Sequence, residues 1–418
     1  MSSVRRVTSC RYLWCKLQRD APSFVVHPYH NFETVLSAPQ TLAANVRARA
    51  YAADAFNVAA LQHEYHVWTL CWRELQEAER ELNSTSTAEQ DRDFWTNRKT
   101  HFNDKLGLRT WVIQTLLALP NDLQEKTTIP RLSQYVTEAR HKALLRNIFE
   151  ETRRREDLVE VHTHGTVTTC TLLGRAARAK LEISRQITHS LCKAGFQPVS
   201  GSSIVRPAIL DACLIDVADH LELDDGSERG LGASLHLVGQ PSLPSLGALL
   251  CRRCLSTRVE LPLRLFAVGT AYSAPAPPPS QQQHVDSLQT AQRERCQLAL
   301  LARDAEAMEE EAPRLQETLL RLVEPYASGG TLSLEAAAAS QLASVDMWRQ
   351  DVVWREGGGA AGLAPVTVAS VSKVGDFLSK RLMVTGAQTG QDSEGHFLHW
   401  LTAAVDIDAL VAISCLTA

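Results

Sequence analysis

Leu261-Pro-Leu-Arg-Leu-Phe-Ala-Val-Gly-Thr-Ala-Tyr272 is an apolar run of branched and small residues with the composition of a β-strand. It does not stand alone. From about residue 160 onwards similar short runs recur at Thr166 to Leu173, Leu235 to Val238, Val259 to Thr270 and Val366 to Val371, with a helical pattern from Ala176 to Lys193 among them. Strands interleaved with helices predict a mixed α/β domain over residues 159–418. Two low-complexity inserts, Ala274 to Gln283 and Gly357 to Gly362, read as loops within it.

Upstream the texture changes. From Phe56 to Leu82 the apolar residues Val58, Leu61, Tyr65, Trp68, Trp72, Leu75 and Leu82 recur mostly at three- and four-residue steps, the period of an amphipathic helix. Asn83 to Thr85 break it. Ser86 with Glu89 forms a capping box that starts a second helix through Phe94, Phe102, Trp111 and Leu116, and Leu119-Pro120-Asn121 ends the hairpin. About 27 residues at 1.5 Å each make a rod of about 40 Å, so the antiparallel pair, spanning about 56–119 of an N-terminal domain at 21–125, is expected to project as an arm. A charged helix from Arg131 to Arg155 supplies a linker at 126–158.

Composition narrows the function. With 43 basic against 47 acidic residues the formal charge is -4, so RNA contact requires a local patch. Candidates on the arm are Arg73, Arg80, Arg92, Arg98, Lys99, Lys105 and Arg109, set among a similar number of acids. No apolar run approaches the roughly 18 residues of a membrane span. The first 19 residues carry Arg5, Arg6, Arg11, Lys16 and Arg19 without an acid, the composition of a mitochondrial transit peptide at 1–20. Ten cysteines are too dilute for a disulfide scaffold, and Cys251 and Cys254, the one C-x-x-C pair, read as buried thiols rather than a zinc site.

Most catalytic signatures are missing. There is no glycine-rich phosphate loop. His63-Glu64-Tyr65-His66 is one residue short of zinc-protease spacing and reads as arm surface, while Gly232-Ala-Ser-Leu-His236 lacks the last glycine of a nucleophile elbow and reads as the start of a strand. His162 and His164 share a strand face with no further ligand nearby. Neither a metal nor a cofactor is expected.

The quoted strand resembles the one that opens motif 2 of seryl-tRNA synthetases, which are class II aminoacyl-tRNA synthetases, and further matches follow the family's order. Leu116-Leu-Ala-Leu-Pro-Asn121 is similar to its end-of-arm signature. Leu173-Gly174, Ala177, Leu181-Glu182 and Gly195-Phe196 resemble the start of its catalytic domain, and Ser372-Lys-Val-Gly-Asp-Phe377 with Lys380-Arg381-Leu382 resembles a later strand and its basic sequel. The resemblance covers roughly residues 30–418 and implies the α+β class, a class II synthetase-like antiparallel sheet flanked by helices, with an N-terminal arm that is a long antiparallel helical hairpin.

Its departures fall on the residues that do chemistry in that family. The arginine on the ATP α-phosphate aligns with Ser273, and the acid two residues on with Pro275. The threonine-x-glutamate loop that grips serine aligns with Gln240-Pro241-Ser242. The adenine-side and metal-side acids fall near Gln289 and Gln292, and the asparagine and glutamate of the later strand on Lys373 and Thr367. Motif 3 offers Ala409 or Asp408 in place of its phosphate arginine, and Phe196-Gln-Pro-Val-Ser-Gly201 offers glycine or serine at the place expected for the dimer-interface proline of motif 1. One preorganised charge at a developing anion is worth about 2.7 to 4 kcal/mol, so several losses together remove serine activation.

The resemblance therefore implies a catalytically degenerate paralogue of mitochondrial seryl-tRNA synthetase in the mitochondrial matrix. It would pair with the genuine mitochondrial enzyme as a heterodimer and support serylation of mitochondrial tRNA(Ser). The competing readings are a free-standing mitochondrial RNA-binding protein and a divergent active serine-tRNA ligase.

Overall fold

In the computed structural model the described residues are 32–51, 56–83, 89–124, 127, 159–164, 167–223, 234–256, 261–273, 292–357, 365–387 and 396–417. The expected transit peptide, the linker helix, Ser86 of the capping box, Pro275, Gln289 and the insert 274–283 lie outside them, as does nearly all of 357–362. The described residues fall into two compact units that part between Asp122 and Leu123.

The first unit is helical: α1 (Phe32–Ser37), α2 (Pro39–Ala48), α3 (Val58–Leu82), α4 (Glu89–Gly107) and α5 (Thr110–Leu117). Asn57 caps α3 by accepting the N–H of Ala60 at 3.1 Å. The apolar stripe of α3 then buries Val58, Leu61, Trp68, Cys71, Trp72, Leu75 and Ala78. Phe32, Leu36, Leu42 and Val46 of α1 and α2, Leu106 of α4, and Val112, Ile113 and Leu116 of α5 pack on that stripe as far as Leu75. The expectation of one projecting rod therefore needs correcting at its base, which is wrapped by other helices.

The second expected helix is likewise two. α4 stops at Gly107 and α5 begins at Thr110, with Leu108 exposed between them. Glycine costs about 1 kcal/mol inside a helix, and Arg109, at φ -113°, is not helical. The break lets α5 turn its apolar side onto α3, which a straight continuation could not do.

The second unit comprises β1 (Val159–His164), β2 (Val167–Leu172), α6 (Gly174–Lys193), β3 (Gln197–Pro198), β4 (Ile204–Val205), α7 (Pro207–Ala212), β5 (Leu221–Leu223) and β6 (Leu235–Leu237). It continues with α8 (Leu243–Leu250), β7 (Cys254–Ser256), β8 (Leu263–Tyr272), β9 (Gln292–Ala302), α9 (Ala305–Val323), β10 (Gly330–Ala336), β11 (Trp348–Glu356), β12 (Val366–Gly375) and α10 (Phe377–Leu382). β13 (Thr385–Ala387), β14 (His396–Phe397), β15 (His399–Asp406) and α11 (Ile407–Thr417) complete it.

The main sheet runs β10-β11-β12-β15-β9-β8-β3, antiparallel except where β3 lies parallel to β8. Period-two alternation sorts its side chains. On β9, Cys296, Leu298, Leu300 and Ala302 enter one core with α6, α9 and α11, while Ala299 and Leu301 enter a second core with α7, α8 and α10. The second face is covered only in part. Arg293, Arg295 and Gln297 share the face of Ala299 and Leu301 but line open cavities instead.

Candidate functional site

The uncovered end of that face is a cleft. Arg293, Arg295 and Gln297 come from β9, Thr402, Ala404 and Asp406 from β15, Thr367, Ser370 and Ser372 from β12, and Arg349 from β11. It holds two adjoining cavities of about 250 and about 310 Å³ that share Arg295, Arg349, Ser370 and Ala404. A bulge sets part of this wall. Ala369 and Val371 enter the first core, as do Val366 and Val368, so the phase of β12 flips at the register shift opposite Val352 and Val353. The flip turns Thr367 to the cleft side with Ser370 and Ser372.

A turn closes one end. Gly239 has φ +84° and bridges Ala271, and a Cβ there would lie 2.2 Å from the Thr270 carbonyl oxygen, so only glycine fits. The amide of Tyr272 donates to Val238 O at 3.1 Å, which lays the turn on the end of β8. Ser242 then caps α8: its hydroxyl donates to Gly239 O at 2.7 Å and accepts the N–H of Ser245 at 3.2 Å. His220 Nδ1 lies 3.1 Å from Tyr272 O, and burial holds this imidazole below its usual range.

The charges of the cleft are mostly committed to one another. Asp406 pairs with Arg293 and accepts the N–H of Ala409 at 3.1 Å. Arg349 grips Asp351 with Nε at 2.8 Å and Nη2 at 2.9 Å, and donates from Nη1 to Gln341 O at 3.1 Å. Asp346 accepts the N–H of Ala343 at 3.3 Å. The Gln297 amide donates to Ala403 O at 2.9 Å. Arg295 differs: among the described residues its side chain has no hydrogen bond and no ion pair, and burial, reinforced by neighbouring Arg293, pushes its pKa down against the attraction of Asp406. Beside the cleft, burial and Asp406 push the Asp408 carboxyl up to about 7.

The positions singled out in the sequence divide. Thr367 and Ser242 line the cleft, Gln240 sits beside Ser242 in the turn, and Ser273 follows Tyr272 as an exposed residue. Lys373 and Ala409 do not join them. The Lys373 ammonium bonds Glu309 at 2.6 Å and lies over the Trp348 ring, and Ala409 is buried in the first core. Gln292 is exposed at the start of β9, so the residues of that strand that line the cleft are Arg293, Arg295 and Gln297. Sequence reasoning passed over these three, because Gln292-Arg-Glu-Arg-Cys-Gln297 is polar except at Cys296 and carries no period-two pattern.

On the arm, three of the seven candidate cations are tied within the hairpin unit. Arg98 pairs with Glu74, Lys99 with Glu79 at 3.4 Å, and Arg109 with Glu64 at 3.1 Å. Arg98 also lies over the rings of Phe94 and Trp95, and Lys105 over Phe102. Arg73, Arg80 and Arg92 are exposed and, among the described residues, have no side-chain partner. His63 and His66 are exposed on α3, and His236 is buried in β6. Cys251 is half-buried and Cys254 exposed, which corrects the reading of both as buried; they stand where α8 ends and the short strand β7 begins.

No protein-family model matches the sequence, and no curated protein matches it. Solved structures do. The seryl-tRNA synthetase of Pyrococcus horikoshii, crystallised with ATP, superposes with a TM-score of 0.67 at 13% identity over 92% of this chain and 93% of that one. The cytoplasmic serine-tRNA ligase of Naegleria fowleri, in complex with AMP, gives 0.63 at 14% identity over 90% and 89%. The chain has the seryl-tRNA synthetase fold, a helical arm with a class II synthetase-like sheet domain.

Proposed function

We propose that the chain is a non-catalytic paralogue of mitochondrial seryl-tRNA synthetase that acts as a partner subunit of the genuine enzyme in the mitochondrial matrix, and that it is similar to the seryl-tRNA synthetase-like insect mitochondrial protein. One observation supports the loss of activity: the turn Gln240-Pro241-Ser242, where the resemblance puts the loop that grips serine, brings no carboxylate to the cleft wall. Ser242 spends its hydroxyl on capping α8. Ser273 is neutral where an α-phosphate would need a cation.

The partner role draws on the α6 surface. Leu173, at the N-terminal boundary of α6, is 37% exposed, and Leu181 in its middle is 71% exposed, two apolar side chains that a second chain would cover. The cations of the arm that have no partner among the described residues would meet the phosphates of tRNA(Ser). Co-expression with the mitochondrial synthetase, followed by size exclusion with mass measurement, tests the reading. A one-to-one complex is the expected result; separate elution, with this chain forming a stable homodimer, rejects it.

A further inference from the structure

Cys251 and Cys254, at C-x-x-C spacing, receive unlike surroundings from the fold: Cys251 is half-buried and Cys254 exposed. A tight turn joins them. The amide of Arg253 donates to Leu250 O at 3.0 Å, with Cys251 at φ -52° and ψ 126° and Arg252 at φ +61°, so the chain reverses in a type II turn where α8 ends. That turn favours glycine at its third position, and an arginine there holds backbone strain of the kind that collects at functional sites. Two further bonds clamp the segment, Arg252 N–H to Leu382 O at 2.8 Å and Thr385 N–H to Arg253 O at 3.0 Å. Cys254 then opens β7, a three-residue strand at the edge of the sheet β14-β13-β7.

A third thiol lies behind the pair. Cys213 is fully buried, its Sγ 3.5 Å from where a Cβ on Gly247 would stand, one turn before Cys251 along α8. Burial pushes the Cys213 thiol up to about 12, which keeps it protonated and inert. Cys251 packs at the margin of the same core, and burial raises its thiol against the pull of Arg252. A zinc site needs three or more suitable ligands, and no such group of histidine, cysteine and acidic side chains occurs among the described residues. The pair is left to sulfur chemistry.

We propose that Cys251 and Cys254 form a thiol–disulfide exchange site that takes a low-molecular-weight disulfide of the glutathione class and keeps its oxidising equivalents as an intrachain bond. The Cys254 thiolate, the accessible one, attacks one sulfur of the small disulfide, breaking that S–S bond and releasing a thiolate that takes up a proton. Cys251, its proton passed to water, attacks the Cys254 sulfur of the mixed disulfide, and the second small thiolate leaves. Two protein thiols are thereby oxidised by two electrons, and the reagent is reduced to two thiols. Closure brings the two Cα atoms to about 4.4–6.8 Å and draws Cys251 from the core margin. β7 yields to this because its outer edge carries no strand among the described residues. The site does not depend on the partner-subunit reading.

The test equilibrates the full chain with glutathione and glutathione disulfide at a series of ratios, quenches with acid, alkylates, and digests with trypsin. Cleavage after Arg252 and Arg253 separates the two cysteines unless a disulfide joins their peptides. Oxidising mixtures should give the linked Cys251–Cys254 pair, and excess glutathione should return both thiols. Cys251→Ser should stop the reaction at glutathione on Cys254, and Cys254→Ser should leave Cys251 open to alkylation at every ratio. Thermal melting of the reduced chains reports folding, and because Cys254 is exposed its variant keeps the test if the Cys251 variant does not fold. The proposal is overturned if both cysteines stay open to alkylation in the most oxidising mixture, if the wild type stops at the mixed disulfide, or if Cys251 pairs with Cys213. Co-elution with the synthetase is measured on reduced protein, so failure here leaves the partner reading standing.

Discussion

The Asp408 carboxylate accepts the backbone N–H of Glu294 at 2.8 Å, fastening the start of α11 to strand β9. Around it stand Asp406 and Arg293, paired to each other, and Lys180 of α6, which reaches the Glu294 carboxylate at 3.1 Å. Burial and the charge of Asp406 outweigh that amide and the two cations, and the Asp408 pKa rises to about 7.

A pH dependence follows. The unfolded chain releases this proton near the ordinary value of 3.8, the folded chain near 7, so between these limits the folded state binds more protons and stability falls as pH rises. Asp408→Asn removes the titration and can still accept the Glu294 amide. It should melt higher than the wild type at pH 8, by a stabilisation of about 1 to 2 kcal/mol after allowing for solvent screening, with the gap closing towards pH 5. Equal melting temperatures at both pH values would show that Asp408 is ionised in the fold throughout.

Serine activation should be absent, and Ser273→Arg alone should not restore it. The turn Gln240-Pro241-Ser242 still supplies no carboxylate for a serine ammonium in that variant, and groups that act as a unit are not recovered one at a time. Exchange of labelled pyrophosphate into ATP with serine measures this; exchange above background in the single variant contradicts it.

The arm predicts an unequal response to charge reversal. Arg73, Arg80 and Arg92 have no partner among the described residues, whereas Arg98 and Lys99 already face Glu74 and Glu79. If the arm contacts tRNA, reversing the first three should weaken binding and lower the slope of log affinity against log salt by roughly 0.7 to 0.9 for each phosphate no longer neutralised. Reversing Arg98 and Lys99 should instead melt the hairpin at lower temperature. Filter binding over a salt series decides between these, and unchanged slopes for the triple variant would place the RNA-binding surface off these residues.

Gly239→Ala should be destabilising out of proportion to one methyl group. The added Cβ would lie 2.2 Å from the Thr270 carbonyl oxygen at φ +84°, forcing the turn off β8, at a cost of about 2 to 3 kcal/mol by overpacking and strain. Thermal melting measures the loss, and a variant as stable as the wild type would mean the turn is free to move.

Local physics made some features readable in the chain itself. The three- and four-residue steps from Val58 to Leu75 demand an apolar helix face, and α3 buries those residues. The quoted strand was legible for the same reason, because small and branched residues suit a pleated surface between neighbours, and β8 spans most of it. Other strands escaped notice: Gln292 to Ala302 begins with charged residues and ends in leucine and alanine, so neither a period nor a composition marks the whole of it. Tertiary structure alone decided that its first half meets a cleft and its second half a helical layer, which is why Arg293, Arg295 and Gln297 became wall residues. The β12 bulge that turns Thr367 towards them, the salt bridges that occupy Arg98 and Lys99, and the engagement of Asp406 by Arg293 depend on strands and helices far apart in the chain. Period and composition determine which face of an element is apolar; only the packing of one element on another determines which charges find partners and which are left to bind something else.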